Sequence, residues 1–154
     1  MKKFWSPRIQ DAAPYVPGEQ PRGGDIIKLN TNENPYPPSK KVLAAIKEAA
    51  DASLRLYPDP ECLVLRQAAA ARLGLTPEHI FAGNGSDEVL SFCFQAFFDP
   101  AKPILFPDIT YSFYPVFASY FGLSYRTVPL DEQFDLPVEA LFHSPGGVVI
   151  ANPN

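Results

Sequence analysis

A glycine-rich turn, Gly83-Asn84-Gly85-Ser86-Asp87-Glu88, has the residue types that can bind an anion. It follows the apolar segment Ile80-Phe81-Ala82 and precedes a helical pattern. Where a strand turns into a helix, the free backbone N–H groups of the first helical turn and the helix dipole favour a negative ligand. Glycine at position 85 would let the backbone approach that ligand closely, and Ser86 could add a hydroxyl donor.

The same turn is compatible with a purely structural role. Asn84 or Ser86 could serve only as the helix N-cap. Asp87 and Glu88 are acidic residues of the kind that a first helical turn favours, and their charges would oppose a phosphate unless they point away from it. Taken alone, the turn is more typical of a capped helix than of a ligand site.

Tyr111 and Asn154 follow two other apolar segments, residues 104–106 and 148–151. A tyrosine ring there could stack on a planar ligand, and an asparagine amide could hydrogen-bond a phenolic oxygen or a carboxylate. Each residue alone is more typical of a packed tyrosine and of a turn asparagine. Because the carboxyl ends of parallel strands share one edge of a sheet, the turn, Tyr111 and Asn154 converge there. Together they predict a site for an anion attached to a planar ring.

The elements that must position these residues alternate between short apolar strands and helices. This pattern predicts an α/β fold, with a partial parallel or mixed sheet covered by helices on both faces and preceded by an extended N-terminal arm. Strands are predicted at residues 80–82, 104–106, 125–128 and 148–151, and helices at residues 39–53, 61–73, 87–98, 111–121 and 138–141. Ser39 is the predicted N-cap of the first helix, and Gly74 is the predicted C-terminal cap of the second.

The composition favours a folded protein without nucleic-acid or membrane partners. The chain has 154 residues, 46% of them hydrophobic, and a formal net charge of −4, which offers no excess of positive charge for nucleic acid. No apolar run is long enough for a signal peptide or a membrane span, so a cytoplasmic location is expected. The two cysteines and two histidines show no disulfide framework and no ligand spacing, so no metal site is expected.

Five segments occur in an order that resembles the histidinol-phosphate aminotransferase family, whose members are fold-type I enzymes that use pyridoxal 5'-phosphate (PLP). They are residues 29–37 (LNTNENPYP), 56–59 (LYPD), 83–88 (GNGSDE), 110–114 (TYSFY) and 152–154 (NPN). The segment PYVPG at residues 14–18 extends the resemblance into the arm. The resemblance implies that Gly85, Ser86 and Asp87 bind the cofactor phosphate, largely through backbone N–H groups. It also implies that Tyr111 stacks on the pyridine ring and that Asn154 hydrogen-bonds the phenolic oxygen of that ring.

The resemblance further implies a homodimer with shared active sites. Tyr57 would cross the interface to the cofactor phosphate of the neighbouring subunit. Tyr15, Asn30 and Asn32 would border the substrate pocket, with Tyr15 closing over it. The implied organisation is an arm with a substrate-side loop at residues 1–37, a helical part of the small domain with a linker at 38–75, and an incomplete PLP-binding large domain at 76–154.

The implied reaction is reversible amino transfer between histidinol phosphate and 2-oxoglutarate, as part of histidine biosynthesis. Three alternatives stay open: an aminotransferase for another amino acid, an enzyme resembling threonine-phosphate decarboxylase, and a non-catalytic module that binds a phosphate ligand or a partner. In the family, an aspartate that pairs with the pyridinium nitrogen, the Schiff-base lysine and the substrate-binding arginines follow the Asn-Pro-Asn segment. None of the lysines here matches that lysine (Lys2, Lys3, Lys28, Lys40, Lys41, Lys47 and Lys102). We therefore expect a truncated chain that is inactive by itself and prone to self-association.

Overall fold

The computed structural model describes residues 4–10, 18–19 and 23–154. Tyr15, predicted from the resemblance to close over the substrate pocket, lies outside these residues. Contacts group the chain into two compact units, Pro14–Val64 and Met1–Ala13 with Leu65–Asn154. The three-part organisation with divisions at residues 37/38 and 75/76 stays a prediction.

Helices come first in the described part of the chain, and helices and strands alternate only from α4 onward. They are α1 (Pro7–Gln10), α2 (Lys40–Ala49), α3 (Leu63–Leu73), α4 (Gly85–Phe97), β1 (Ile104–Pro107), α5 (Phe113–Phe121), β2 (Tyr125–Val128) and α6 (Val138–Leu141). Two short 3-10 helices, Ala52–Arg55 and Pro77–His79, lie on either side of α3 in the sequence. Within the described ranges, no helix has the length and apolar character that crossing a membrane requires.

Side-chain caps set the ends of α2. Ser39 accepts a hydrogen bond from the backbone N–H of Val42 at 3.3 Å, so it is the N-cap that the sequence predicts. The helix was predicted to run to Ser53, but it ends at Ala49. The reason is that Asp51 accepts the backbone N–H of Ser53 at 2.7 Å and begins a 3-10 helix instead.

The same mechanism delays the start of α3. Asp59 accepts hydrogen bonds from the backbone N–H groups of Glu61 at 3.0 Å and Leu63 at 2.7 Å. The helix therefore begins at Leu63, two residues after the predicted position. It ends at Leu73, and Gly74, with a φ angle of +70°, forms the predicted C-terminal cap.

The sheet is built around β1, which pairs in parallel with β2. The pairing follows the order Ile104 with Tyr125, Leu105 with Arg126, Phe106 with Thr127 and Pro107 with Val128. The strands predicted at residues 104–106 and 125–128 are therefore confirmed. Continuous apolar character identifies β1 because all of its residues are buried.

A third parallel segment lies on the other side of β1. The backbone N–H of Leu105 donates to the carbonyl of Gly147, and the N–H of Val149 donates to the carbonyl of Leu105, both at 2.9 Å. The strand predicted at residues 148–151 is thus reduced to a single bridge at Val148. β1 consequently has backbone partners along both of its edges.

The strand predicted at residues 80–82 is wrong. The N–H of Ile80 donates to the carbonyl of Pro77 at 3.1 Å, which closes the 3-10 helix before it. The carbonyl of Ile80 accepts a hydrogen bond from Nε of Arg66 at 2.9 Å. Because both backbone groups of Ile80 are used in this way, they are not available to a strand ladder.

The core lies between β1 and two helices. Ile104 and Phe106 pack in one buried cluster with Phe94 of α4 and with residues of α5. Leu105, between them in sequence, lines a cavity together with Ala140 of α6. Since successive strand residues point to opposite faces, helices lie on both faces of the short sheet, and the predicted α/β class is confirmed.

Candidate functional site

The first turn of α4 lies at the end of the glycine-rich segment. Gly85 opens the helix with a φ angle of +80°, and its N–H donates to the carbonyl of Gly83 at 3.0 Å. A helix offers no internal acceptor to the N–H groups of its first turn, here those of Ser86 and Asp87. Both residues are exposed, so these donors and the positive end of the helix dipole are accessible to a ligand.

Both carboxylates of this turn are held by hydrogen bonds. The hydroxyl of Tyr111 donates to Oδ1 of Asp87 at 2.6 Å. The backbone N–H of Asn84 donates to Oε2 of Glu88 at 2.7 Å, so Glu88 reaches back over the start of the helix. Each acidic side chain therefore has a hydrogen-bond donor other than the N–H groups of Ser86 and Asp87 at the start of the helix.

Tyr111 is packed on its aromatic neighbours but keeps accessible surface. Its ring stacks with Phe113 at a centroid distance of 5.7 Å and an interplanar angle of 20°. It meets Tyr114 edge-on, also at 5.7 Å. The side chain is 37% exposed, which leaves part of the ring open to a planar ligand.

Asn154 lies at the same edge of the sheet. Its Nδ2 donates to the carbonyl of Ile109 at 2.9 Å, two residues before Tyr111. Asp87 is thus hydrogen-bonded directly to Tyr111, and Asn154 is hydrogen-bonded to the loop that carries Tyr111. Tyr111 and Asn154 meet at the carboxyl edge of β1, as parallel-sheet topology predicts, whereas the glycine-rich turn reaches this edge through the hydrogen bond of Asp87 with Tyr111 and not as the end of a strand.

Asp108 organises this edge although the sequence patterns do not single it out. Its Oδ1 accepts the N–H groups of Ile109 at 2.9 Å and Leu130 at 3.0 Å, so it joins the loops after β1 and β2. Its own N–H donates to the carbonyl of Val128 at 3.0 Å. The available signal was an aspartate directly after an apolar strand, a residue that commonly accepts loop N–H groups.

Thr110 is a second residue that the patterns missed. Its Oγ1 is buried and has no hydrogen-bond partner among the described residues. Buried hydroxyl groups usually have a partner, so an orphaned one beside Tyr111 marks a polar position that a ligand group or water could satisfy. The sequence signal was its place between the strand and the predicted aromatic residue.

The other compact unit holds the predicted substrate-side residues. Nδ2 of Asn30 donates to the carbonyl of Glu19 at 2.9 Å, while Oδ1 of Asn30 is buried without a partner among the described residues. Asn32 is exposed and has a φ angle of +50°, in the left-handed region that asparagine tolerates. Tyr57 is fully exposed, with a relative accessibility of 101%.

An ion pair closes the segment around Asn30 and Asn32. Nζ of Lys28 lies 2.6 Å from Oε1 of Glu33. The hydrogen bond from Lys28, and then its charge, lower the pKa of Glu33 below its ordinary value. The pair thus holds the two asparagines within a short loop.

Comparison with known proteins agrees with the sequence resemblance. The family described as Aminotransferase class I and II matches residues 24–154. A histidinol-phosphate aminotransferase of Acetobacter pasteurianus is 55% identical over 154 residues, which is all of this chain and 43% of that protein. A histidinol-phosphate aminotransferase of Clostridium botulinum is 56% identical over all of this chain and 44% of its own length. The chain thus spans less than half the length of these curated relatives.

Two solved structures have a similar fold. A putative histidinol-phosphate aminotransferase from Erwinia carotovora atroseptica aligns with a TM-score of 0.69 and 25% identity, over 79% of this chain and 36% of that one. A histidinol-phosphate aminotransferase from Sinorhizobium meliloti, in complex with pyridoxal-5'-phosphate, aligns with a TM-score of 0.60 and 30% identity, over 66% of this chain and 28% of that one. Because the family match covers the whole sheet and the edge that joins Asp87, Tyr111 and Asn154, this chain belongs to the class I and II aminotransferase family.

Proposed function

We propose that this chain forms the phosphate- and ring-binding part of a PLP-dependent aminotransferase that transfers an amino group from histidinol phosphate to 2-oxoglutarate in histidine biosynthesis. The observation that carries the proposal is the hydrogen bond between Tyr111 and Asp87. It joins the residue suited to a planar ring to the turn suited to a phosphate. The names of the curated relatives and the cofactor of the Sinorhizobium meliloti structure support the same conclusion.

The described residues fit the cofactor. The space beside Gly85 is open, because apart from its chain neighbours and the backbone of its own helix no atom lies within 4 Å of the place where a β-carbon would stand. A phosphate can therefore approach the first-turn N–H groups, with the hydroxyl of Ser86 as a further donor. Tyr111 offers ring surface for stacking, and Asn154 offers an amide for the phenolic oxygen.

The chain's own residues bind and orient the group that does the chemistry. Bound PLP supplies an electron sink that stabilises negative charge on the substrate carbon. The first turn of α4 fixes the phosphate end, and Tyr111 fixes the plane of the ring. Asn30 and Asn32 are proposed to border the substrate, together with Tyr15.

A homodimer in the cytoplasm completes the proposal. Tyr57 would extend into the neighbouring subunit and donate its hydroxyl to that subunit's cofactor phosphate. The full exposure of its side chain supports this role, because an exposed ring and hydroxyl are accessible to a second chain.

The test is an assay of the purified natural protein with PLP, histidinol phosphate and 2-oxoglutarate. Formation of glutamate that requires all three components is the expected result. Turnover only with other amino acids would assign another aminotransferase, and release of carbon dioxide from a phosphorylated amino acid would assign a decarboxylase. Binding of phosphate compounds without turnover of any amino acid would favour a non-catalytic module.

A further inference from the structure

The turn proposed to bind phosphate carries a negative charge of its own. Asp87 lies in the first turn of α4, two residues after Gly85, and its side chain is exposed. An unheld carboxylate there could rotate toward a bound phosphate, and like charges a few ångströms apart repel. The proposed site therefore needs something that keeps this side chain away from the anion.

Tyr111 supplies that restraint. Its hydroxyl donates to Oδ1 of Asp87 at 2.6 Å, the short distance expected for a hydrogen bond to a charged oxygen. The ring is itself held by Phe113 and Tyr114, so the hydroxyl is a fixed point. The exposed carboxylate of Asp87 is thus held toward the aromatic cluster.

We propose that the hydroxyl of Tyr111 is a positioning group that holds the Asp87 carboxylate away from the cofactor phosphate. Tyr111 then has two separate functions, because its ring binds the planar part of the cofactor and its hydroxyl protects the phosphate subsite. The inference rests on the proposed function and adds a determinant of selectivity for the phosphate-bearing ligand. If the hydrogen bond only fastened the loop after β1 to α4, its loss would weaken the binding of every ligand equally.

The test compares two ligands that differ in the phosphate alone. The natural protein and its Tyr111→Phe variant are titrated with PLP and with pyridoxal, and each dissociation constant is measured by absorbance or fluorescence. The variant keeps the ring and loses the hydroxyl. We expect PLP binding to weaken about tenfold, the effect of a lost hydrogen bond to a charged group, while pyridoxal binding changes less than about twofold. The loss for PLP should shrink at high salt, because the repulsion is electrostatic.

Replacing Asp87 with an uncharged residue should remove the effect of Tyr111→Phe on PLP affinity. In Asp87→Asn no charge faces the phosphate, so adding Tyr111→Phe to it should weaken PLP binding less than about twofold relative to Asp87→Asn alone, in contrast to the tenfold loss that the same substitution causes in the natural protein. Tyr120→Phe is the matched control, since it removes a phenol hydroxyl from an exposed tyrosine of α5 outside the site. It should change neither ligand's affinity.

Each other outcome has a distinct meaning. Equal losses of PLP and pyridoxal affinity in Tyr111→Phe, or no rescue by Asp87→Asn, would overturn the inference and leave the proposed function standing. Failure of the natural protein to bind PLP would overturn both the proposed function and the inference.

Discussion

Gly83 and Gly85 lie in the same turn but require glycine for different reasons. A β-carbon at Gly83 would lie 2.9 Å from Cγ2 of Val89 and 3.0 Å from Oε2 of Glu88, so one of these side chains must shift to admit it. At Gly85 there is space, but the φ angle of +80° lies in the left-handed region, which strains residues with a side chain. The turn thus combines one steric and one conformational requirement.

Substitutions at Gly85 should separate conformational strain from crowding. Gly85→Ala should lower the free energy of unfolding by about 1–2 kcal/mol, the cost of a left-handed conformation for alanine. Gly85→Asn should cost less, because asparagine tolerates that region. Urea unfolding measures both values, and equal losses for the two variants would contradict the strain argument.

Gly83→Ala is the companion measurement. The added methyl group should displace Glu88 and break its hydrogen bond with the N–H of Asn84. We therefore expect a destabilisation that Gly83→Ala shares with Glu88→Ala and that is not additive in the double variant. Additive losses would show that the crowding is relieved elsewhere.

Tyr114 makes the stability depend on pH at the alkaline end. Burial raises the pKa of this tyrosine above its ordinary value. The folded state then keeps its proton where the unfolded state loses it, so the free energy of unfolding falls as the pH rises above about 10. Tyr114→Phe should flatten that decline relative to the natural chain, as measured by denaturation between pH 8 and 11. The exposed Tyr120→Phe is the control, and an unchanged slope in Tyr114→Phe would refute the assignment.

Among the elements, α3 fixes the segment that leads into the phosphate turn. Arg66 of α3 donates to the carbonyl of Pro77, from Nε at 3.1 Å and Nη2 at 2.8 Å, and to that of Ile80 at 2.9 Å. One planar guanidinium thus satisfies the carbonyl of Ile80, which a strand at residues 80–82 would have used, and the carbonyl of Pro77 in the 3-10 helix before it. The segment is held by a side chain in place of a sheet.

Arg66→Lys tests whether that planar geometry matters. A lysine keeps the charge but cannot serve both carbonyls in the same way, so most of the stabilisation should be lost. We expect Arg66→Lys and Arg66→Ala to lower the free energy of unfolding by similar amounts, about 1–3 kcal/mol. Chemical denaturation of both variants measures the difference. Full stability of Arg66→Lys would mean that charge alone is sufficient.

Arg66 also shows which helices and strands a sequence pattern can predict and which it cannot. β1 was predictable because a buried strand has a continuous run of apolar residues. β2 was predictable although it is mostly exposed, because aromatic and β-branched residues such as Tyr125, Thr127 and Val128 favour extended backbone. The segment at residues 80–82 is also apolar, but it does not form a strand because Arg66, 14 residues earlier, binds the carbonyl of Ile80. At the site, the turn and Tyr111 were recognisable, whereas their hydrogen bond and the bridging role of Asp108 depend on the folded arrangement.

At the scale of the whole molecule, much apolar surface remains exposed. None of the residues of α2 is buried, and Val42, Leu43 and Ile46 on this helix are between 45% and 60% exposed. Residues three and four positions apart share one helix face, so these side chains form a contiguous apolar stripe. Exposed stripes of this kind promote association.

We therefore expect the 154-residue chain, prepared alone, to self-associate as its concentration rises. The double variant Leu43→Ser with Ile46→Ser should shift the association to higher concentration, because it interrupts the stripe. Light scattering coupled to size-exclusion chromatography measures the change. Lys47→Gln on the same helix is the control, and a natural chain that stays monomeric at every concentration would contradict the prediction.

The two-sided pairing of β1 has a consequence for synthesis on the ribosome. Among the residues that the structure describes, Gly147 and Val149 supply the second backbone partner of β1, and they are translated well after Leu105. At about 5–20 residues per second, one edge of β1 stays open for seconds while the nascent chain grows. During that interval the unpaired N–H and carbonyl groups of β1 can pair with other strands. The rate of translation between Leu105 and Val149 therefore affects how much of the protein reaches its native state.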